Sequence, residues 1–130
     1  MTDIYPGMPL DEMPLDLMKD ARKRELEDAY ESAIERGHPY AGSFVQIDID
    51  SMSRMTSVLS ELRAGNAHAH GGFWVLSDNS RVSMDESEAT VLLSDAVACR
   101  LDIDQHYFSS REYLLEADTV DKVMALVFDF

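Results

Sequence analysis

The chain has 130 residues, the length of one domain, and its 25 acidic against 11 basic residues give a net charge of −14. This charge argues against binding to a nucleic-acid backbone or an anionic membrane surface, because both attract clustered lysine and arginine. The single cysteine, Cys99, excludes an intramolecular disulfide, so the chain either suits a reducing compartment or is indifferent to redox conditions. We find no signal peptide and no apolar run near the ~18–20 residues that span a bilayer, so we expect the chain to be made in a cytoplasm.

Residues 1–14 are predicted to form an extended N-terminal arm, because three of the four prolines lie there. Proline removes a backbone donor and biases the preceding residue to extended geometry. The arm repeats the sequence Met-Pro-Leu-Asp. Its candidate anchors for docking on a neighbouring subunit are Ile4, Tyr5, Met8, Leu10 and Met13. The alternative is a flexible terminus without a partner.

A first helix is predicted from about Asp16 to Arg36, because apolar residues recur on one face at helical spacing. The residues of this face are Leu26, Ala29, Tyr30, Ala33 and Ile34. Gly37 is expected to end the helix, with Pro39 just beyond it. The segment from Tyr40 to Ile47 then alternates as a strand does.

A second helix is predicted after Asp50 or Ser51, with a narrow apolar stripe at 3-4-3 spacing. The stripe consists of Met52, Met55, Leu59 and Leu62. A methionine-rich stripe is typical either of a core face or of an adaptable binding face, and the sequence leaves both open.

A β-hairpin is predicted next, because two apolar segments flank Ser77-Asp78-Asn79. Aspartate and asparagine tolerate the positive φ that a tight turn requires. Trp74 lies in the first strand of this hairpin, where it suits either a core position or an interface anchor.

A long third helix is predicted from a capping box in which Ser83 is the N-cap and Glu86 the third helical residue. Its apolar periodicity continues toward Leu115. A short final helix is expected to begin at Asp118 or Thr119.

These elements together predict an α+β protein: a small three-stranded antiparallel sheet packed against three or four helices, with an extended N-terminal arm. Residues 1–14 form the arm, and residues 15–130 form a single α+β domain. The chain closes on the apolar residues Phe128 and Phe130, which are further candidate interface anchors.

Two groups of residues resemble parts of metal sites, and neither is complete. His68 and His70 have the spacing of two ligands on a strand, but no third ligand pattern accompanies them. Asp48 and Asp50 match the start of a calcium loop, whereas Met52 stands where the third oxygen ligand is needed and no glutamate follows at the twelfth position. We therefore predict no metal site.

The sequence also offers no recognisable catalytic apparatus. Cys99 and His106 lie seven residues apart on a predicted helix, which separates them by about 10 Å along its axis, too far for a nucleophile and its base. The chain has no Gly-x-Ser-x-Gly motif, phosphate-binding glycine loop or dinucleotide fingerprint. We therefore predict that the protein is not an enzyme and binds no cofactor.

Four segments carry recognisable motifs. They are a basic-acidic helix running into Tyr-Ala-Gly-Ser-Phe-Val-Gln-Ile-Asp at residues 40–48, Ser-Met-Ser-Arg-Met at residues 51–55, residues 73–84 with a Trp-x-x-x-Asp-Asn hairpin, and Glu-Ala-Asp-Thr-Val-Asp-Lys-Val at residues 116–123. In this order they resemble an uncharacterised domain of tailed bacteriophages, a domain of unknown function that occurs in tail-fibre and other tail-associated proteins. The resemblance covers about residues 20–127.

The resemblance implies a non-enzymatic structural protein of a phage virion, since no catalytic residues carry over from that family. The expected partners are other phage tail or fibre proteins in a symmetric multi-subunit assembly, with no nucleic acid and no membrane. The expected location is the virion tail, after synthesis in the host cytoplasm. Family members are often the terminal part of a longer fibre protein, so a short arm before the domain favours a small accessory subunit. The alternative is a tail-fibre assembly chaperone that is absent from the mature particle.

Overall fold

The computed structural model describes residues 14–66 and 74–130. Within these ranges the chain forms four α-helices and four short β-strands, which confirms the mixed α and β class. They are α1 (Leu15–Arg36), β1 (His38–Tyr40), β2 (Ser43–Val45), α2 (Ile49–Arg63), β3 (Trp74–Val75), β4 (Arg81–Val82), α3 (Glu86–Glu116) and α4 (Val120–Ala125). Except for Pro14, the predicted arm lies outside the described residues.

The contacts divide the chain into two compact units. Unit 1 contains residues 14–31 and 103–130 of the described chain, and unit 2 contains the described residues between 32 and 102. No helix in the described ranges is both long enough and apolar enough to cross a membrane.

Unit 1 is organised around a core to which α1, α3 and α4 all contribute. Its buried side chains are Met18, Leu26, Leu114, Ala117 and Val123. Leu26 and Val123 are fully enclosed, with no exposed surface. Full burial of such a side chain stabilises a fold by about 1.5–3 kcal/mol, so this cluster holds the three helices of the unit together.

The helix ends of unit 1 are satisfied by side chains. The Nζ of Lys19 donates to the carbonyl oxygens of Leu115 at 2.9 Å and of Ala117 at 2.8 Å. The last turn of α3 has no basic residue of its own, so Lys19 provides the positive charge that a helix C-terminus favours. Thr119, one of the two predicted starts, caps α4, because its hydroxyl accepts from the backbone N–H of Lys122.

The prediction of one continuous strand from Tyr40 to Ile47 is wrong, because unit 2 has a hairpin there. The chain reverses at Ala41 and Gly42, whose φ angles of 51° and 78° make a two-residue turn, and β1 pairs antiparallel with β2. The segment is therefore the end of one strand, a turn and a second strand. Gly37 has φ 81° directly after α1, which confirms its predicted role as the helix stop.

The predicted three-stranded sheet is wrong. The described strands form two separate two-stranded antiparallel sheets, β1–β2 and β3–β4. The second hairpin turns at Ser77-Asp78-Asn79 as predicted, with Asn79 at φ 67°. The two hairpins are joined where the carbonyl oxygen of Phe44 accepts from both the backbone N–H and the hydroxyl of Ser77, each at 2.9 Å. Because this pairing is not continued, no third strand is added to either sheet.

Two predicted helix caps lie at neighbouring positions instead. Asp48 caps α2, in place of Asp50 or Ser51. The capping box of α3 is formed by Asp85 and Glu88, two residues later than predicted from Ser83 and Glu86. Glu88 N–H donates to Asp85 Oδ1 at 2.8 Å, and Asp85 N–H donates to Glu88 Oε1 at 3.3 Å. In both cases the observed N-cap is another good capping residue close to the predicted one. The local sequence does not distinguish between such neighbouring candidates.

The methionine stripe of α2 faces the interior of unit 2. Met55 and Leu59 are each 5% exposed, whereas Met52 and Leu62 are half-buried. Met55 shares a small apolar space with Trp74 and Leu92. The stripe is therefore mainly a core face, which was one of the two interpretations open from the sequence.

We predict that Gly37→Ala destabilises the protein more than Gly42→Ala does, by about 1–3 kcal/mol in the free energy of unfolding. Both glycines have positive φ, but a Cβ at Gly37 meets the carbonyl oxygen of Val45 at 2.3 Å, while a Cβ at Gly42 meets nothing within 4 Å. Urea unfolding of the two variants measures the difference. Equal losses of stability would contradict the close approach of α1 to β2.

Candidate functional site

A cleft of about 350 Å³ opens in unit 2 between α2 and the second hairpin. Its described lining residues are Gln46, Arg54, Trp74, Val75, Leu76, Ser77 and Asn79. Trp74 and Leu76 are buried and make an apolar floor, while the side chains of the rim are exposed and polar. A concave surface that combines apolar area with a few polar groups is typical of a binding site.

The cleft lies beside the contact that joins the two hairpins. Gln46 follows Phe44 by two residues, and Val75 precedes Ser77 by two residues. The hydrogen bonds from Ser77 to Phe44 therefore hold the two hairpins together next to the point where Gln46 and Val75 line the cleft.

The backbone of β3 has hydrogen-bonding groups on the side that faces away from β4. Leu76 N–H donates to the carbonyl of Ser80 at 2.9 Å, so the backbone groups of Leu76 face β4. In an antiparallel pair, alternate residues direct both backbone groups toward and away from the partner strand. The N–H and C=O of Val75 and Ser77 therefore face away from β4. Ser77 donates to Phe44, and Val75 is among the residues that line the cleft.

A hydrogen-bonded cluster at the start of α2 supports the polar rim. Ser51 is 1% exposed, and its hydroxyl donates to Asp48 Oδ1 at 2.6 Å. The backbone N–H of Ser51 donates to Asp48 Oδ2 at 3.2 Å. Arg54 Nη2 donates to Ser51 Oγ at 3.1 Å, and Gln46 Oε1 lies 3.2 Å from the same hydroxyl. The buried serine thus connects both rim side chains to the helix cap.

This cluster lowers the pKa of Asp48. The hydrogen bond from the Ser51 hydroxyl is the main cause, burial opposes it, and the Ser51 backbone N–H and the positive charge of Arg54 lower the pKa further. Asp48 stays ionised at neutral pH and acts as a helix cap, so its oxygens serve the fold rather than a calcium ion.

The cysteine and two of the histidines are the other residues that the sequence offers for catalysis or metal binding. Burial raises the pKa of the Cys99 thiol, Arg36 opposes the change and Asp102 adds to it, so the thiol is protonated at neutral pH and a weak nucleophile. His68 and His70 lie outside the described residues. In residues 14–66 and 74–130, no group of three His, Cys, Asp or Glu side chains has an arrangement that would hold a metal ion.

The predicted interface residues fall into three groups. The arm residues Ile4, Tyr5, Met8, Leu10 and Met13 lie outside the described residues. Trp74 belongs to unit 2, where it is 6% exposed and lines the cleft. Phe128 and Phe130 belong to unit 1 and are half-buried against its core.

The two C-terminal phenylalanines make specific contacts within unit 1. The Arg22 guanidinium lies 4.3 Å from the centroid of the Phe128 ring and donates to the carbonyl of Leu126. Phe130 packs edge-on against His106, with ring centroids 4.4 Å apart. Much of the surface of both rings is therefore already used inside the protein.

Sequence reasoning did not identify Gln46, Arg54 and Asn79 as the rim of one cleft. Arg54 is part of the Ser-Met-Ser-Arg-Met motif and Asn79 is part of the predicted turn, and neither local pattern indicates that the two side chains meet at one cleft. The contact between Phe44 and Ser77 beside the cleft joins residues 33 positions apart, and no periodicity indicates it.

A family model described as a domain of unknown function (DUF4376) matches residues 18–125 of the chain. The match begins in the first turns of α1 and ends at the last residue of α4. No curated protein and no solved structure matches the chain.

We predict that Asp48→Asn lowers stability at pH 6 by no more than about 1 kcal/mol, because solvent screens this exposed carboxylate and asparagine still caps a helix. The folded-state pKa of Asp48 is depressed, so its stabilisation is present above the ordinary value of 3.8 and is lost as pH falls through the lower folded value. The difference in urea midpoint between wild type and variant should therefore shrink between pH 6 and pH 3. A difference that grows toward pH 3 would contradict this cluster.

Proposed function

We propose that this chain, which belongs to the DUF4376 family, is a non-enzymatic structural subunit of a bacteriophage virion. In this role it is a small component of the tail, the baseplate or the tail-fibre attachment. It docks on neighbouring subunits through its N-terminal arm and through apolar side chains on its surface. The runner-up is a tail-fibre assembly chaperone that leaves before the particle matures.

The observation that carries the proposal is the apolar surface of unit 1. On α3, Phe108 is 57% exposed and Leu115 is 69% exposed. A separation of seven residues is about two helical turns, so both side chains lie on one face of the helix. The surface face of a helix is ordinarily polar, and large exposed apolar side chains grouped on one face are typical of protein–protein contact.

Further large apolar residues of unit 1 are exposed in the C-terminal segment. Met124 is 40% exposed, and Val127 is 71% exposed. The net charge of −14 keeps such a chain soluble and disfavours nucleic acid as its partner, so a protein neighbour is the best match to these side chains.

The candidate nucleophile Cys99 has a thiol whose pKa is raised by burial, which supports a non-enzymatic function. The phage context rests on the resemblance of four sequence segments to a domain of tail-associated proteins. The symmetry of a phage tail would supply several copies of the neighbouring surface.

Mass spectrometry of purified, mature particles from the source phage tests this function. We expect the chain in the particles at a fixed copy number that is a multiple of three or six, the common symmetries of a tail assembly. Detection in infected-cell lysate together with absence from particles would contradict a structural role and support the chaperone.

Deletion of residues 1–13 tests the docking arm. Pro14 is kept because its carbonyl accepts from the backbone N–H groups of Leu17 and Met18 at the start of α1. We expect an unchanged circular dichroism spectrum and a loss of at least about tenfold in incorporation into particles, because the apolar anchors of the arm are removed. Incorporation equal to that of the full chain would contradict docking through the arm.

A further inference from the structure

We propose that the cleft of unit 2 binds an extended acidic segment of a partner protein, with a carboxylate of that segment on the guanidinium of Arg54. This inference rests on the proposed function in one respect, namely that the partners of the chain are proteins. It assigns the cleft, rather than the arm or the surface of α3, to recognition of an acidic segment.

The charge of the cleft differs from that of the chain. Of the described residues that line it, Arg54 alone carries a charge, and that charge is positive. The chain as a whole carries −14, so an acidic segment is repelled by the average surface, and Arg54 is the one charged lining residue that can pair with its carboxylate. Asp78 stands between the lining residues Ser77 and Asn79, and its carboxylate accepts from the backbone N–H and the hydroxyl of Ser80, so the attraction is local to the Arg54 guanidinium.

Arg54 is positioned to hold a carboxylate. One nitrogen of its guanidinium, Nη2, donates to the hydroxyl of Ser51, and this bond orients the planar group. The ionised carboxylate of Asp48 offsets part of the positive charge of Arg54, so the guanidinium holds a carboxylate mainly through its remaining N–H donors. Arginine has five N–H donors in a fork that matches a carboxylate, so the guanidinium can serve Ser51 and a bound carboxylate together.

The backbone of β3 favours an extended ligand. Val75 lines the cleft, and its N–H and C=O face away from β4. A partner segment in extended conformation can bond to such groups and add a strand at this edge. Alternate side chains of the segment then point toward the apolar floor of Trp74 and Leu76, or toward the amide side chain of Asn79.

The test uses the fluorescence of Trp74, the chain's single tryptophan, which lines the cleft. The purified full-length chain is titrated with the peptide acetyl-Val-Glu-Val-Glu-amide and with its neutral counterpart acetyl-Val-Gln-Val-Gln-amide. We expect the glutamate peptide to change the Trp74 emission and to bind at least about tenfold more tightly than the glutamine peptide, because a charged hydrogen bond to arginine is lost in the second.

Variants assign this preference to one side chain. Arg54→Gln should remove the tenfold difference between the peptides. The control Arg63→Gln removes the same charge from the same helix, at a residue paired with Glu86 at 3.6 Å, and should retain the difference. Arg54→Lys keeps the charge without the fork and should retain a smaller preference. The Arg54→Lys variant tests the proposal even if urea unfolding shows that Arg54→Gln does not fold.

Several outcomes would overturn the proposal. They are no binding of either peptide, equal binding of both peptides by the wild type, and a preference that survives Arg54→Gln in the folded protein. An equal emission change with sodium acetate at the same concentration would show a small-anion site and overturn the extended segment. The titration needs no particle, so absence of the chain from virions would contradict the proposed function while leaving this result to stand by itself.

Discussion

Two hydrogen bonds from Ser77 to the carbonyl oxygen of Phe44 connect the two hairpins of unit 2. Each contributes about 1 kcal/mol net, a modest amount, but together they join two hairpins that have no other ladder between them. Had the pairing continued, Val75 would have been inside a three-stranded sheet. Because it stops, Val75 lines a cleft with its backbone groups turned away from its own partner strand. The contact therefore connects the two separate sheets beside the candidate site.

The electrostatics of the chain are organised by a small number of basic side chains in an acidic background. Lys19 caps the C-terminal end of α3, and Arg22 packs on Phe128 while it donates to a backbone carbonyl. Arg100 donates to the carbonyl of Ile47 at 2.8 Å. These cations satisfy backbone oxygens inside the fold. Arg54 differs because it is exposed at the rim of a cleft, which is why we infer a ligand there.

The helices were predictable from the sequence because their evidence is local. Apolar periodicity and Gly37 place α1 within one residue of its observed limits, and Thr119 marks the start of α4. The first hairpin was not predicted, because alanine rarely adopts positive φ and Ala41 therefore hides a turn that Gly42 only suggests. The cleft was not predicted either, because the contact of Phe44 with Ser77 is tertiary. Neither secondary-structure propensity nor apolar periodicity indicates such a contact. The identity of the partner protein likewise depends on the partner's own surface, and local patterns in this sequence do not indicate it.

The central claim is that the cleft of unit 2 is a preformed site for an acidic protein segment, and a crystal structure of the full-length chain with acetyl-Val-Glu-Val-Glu-amide tests it most directly. We expect the peptide to lie extended along Val75, with a glutamate carboxylate within hydrogen-bond distance of the Arg54 guanidinium. We expect the contact between Phe44 and Ser77 to be unchanged. A peptide bound elsewhere, or one in the cleft whose carboxylates point away from Arg54, would contradict it.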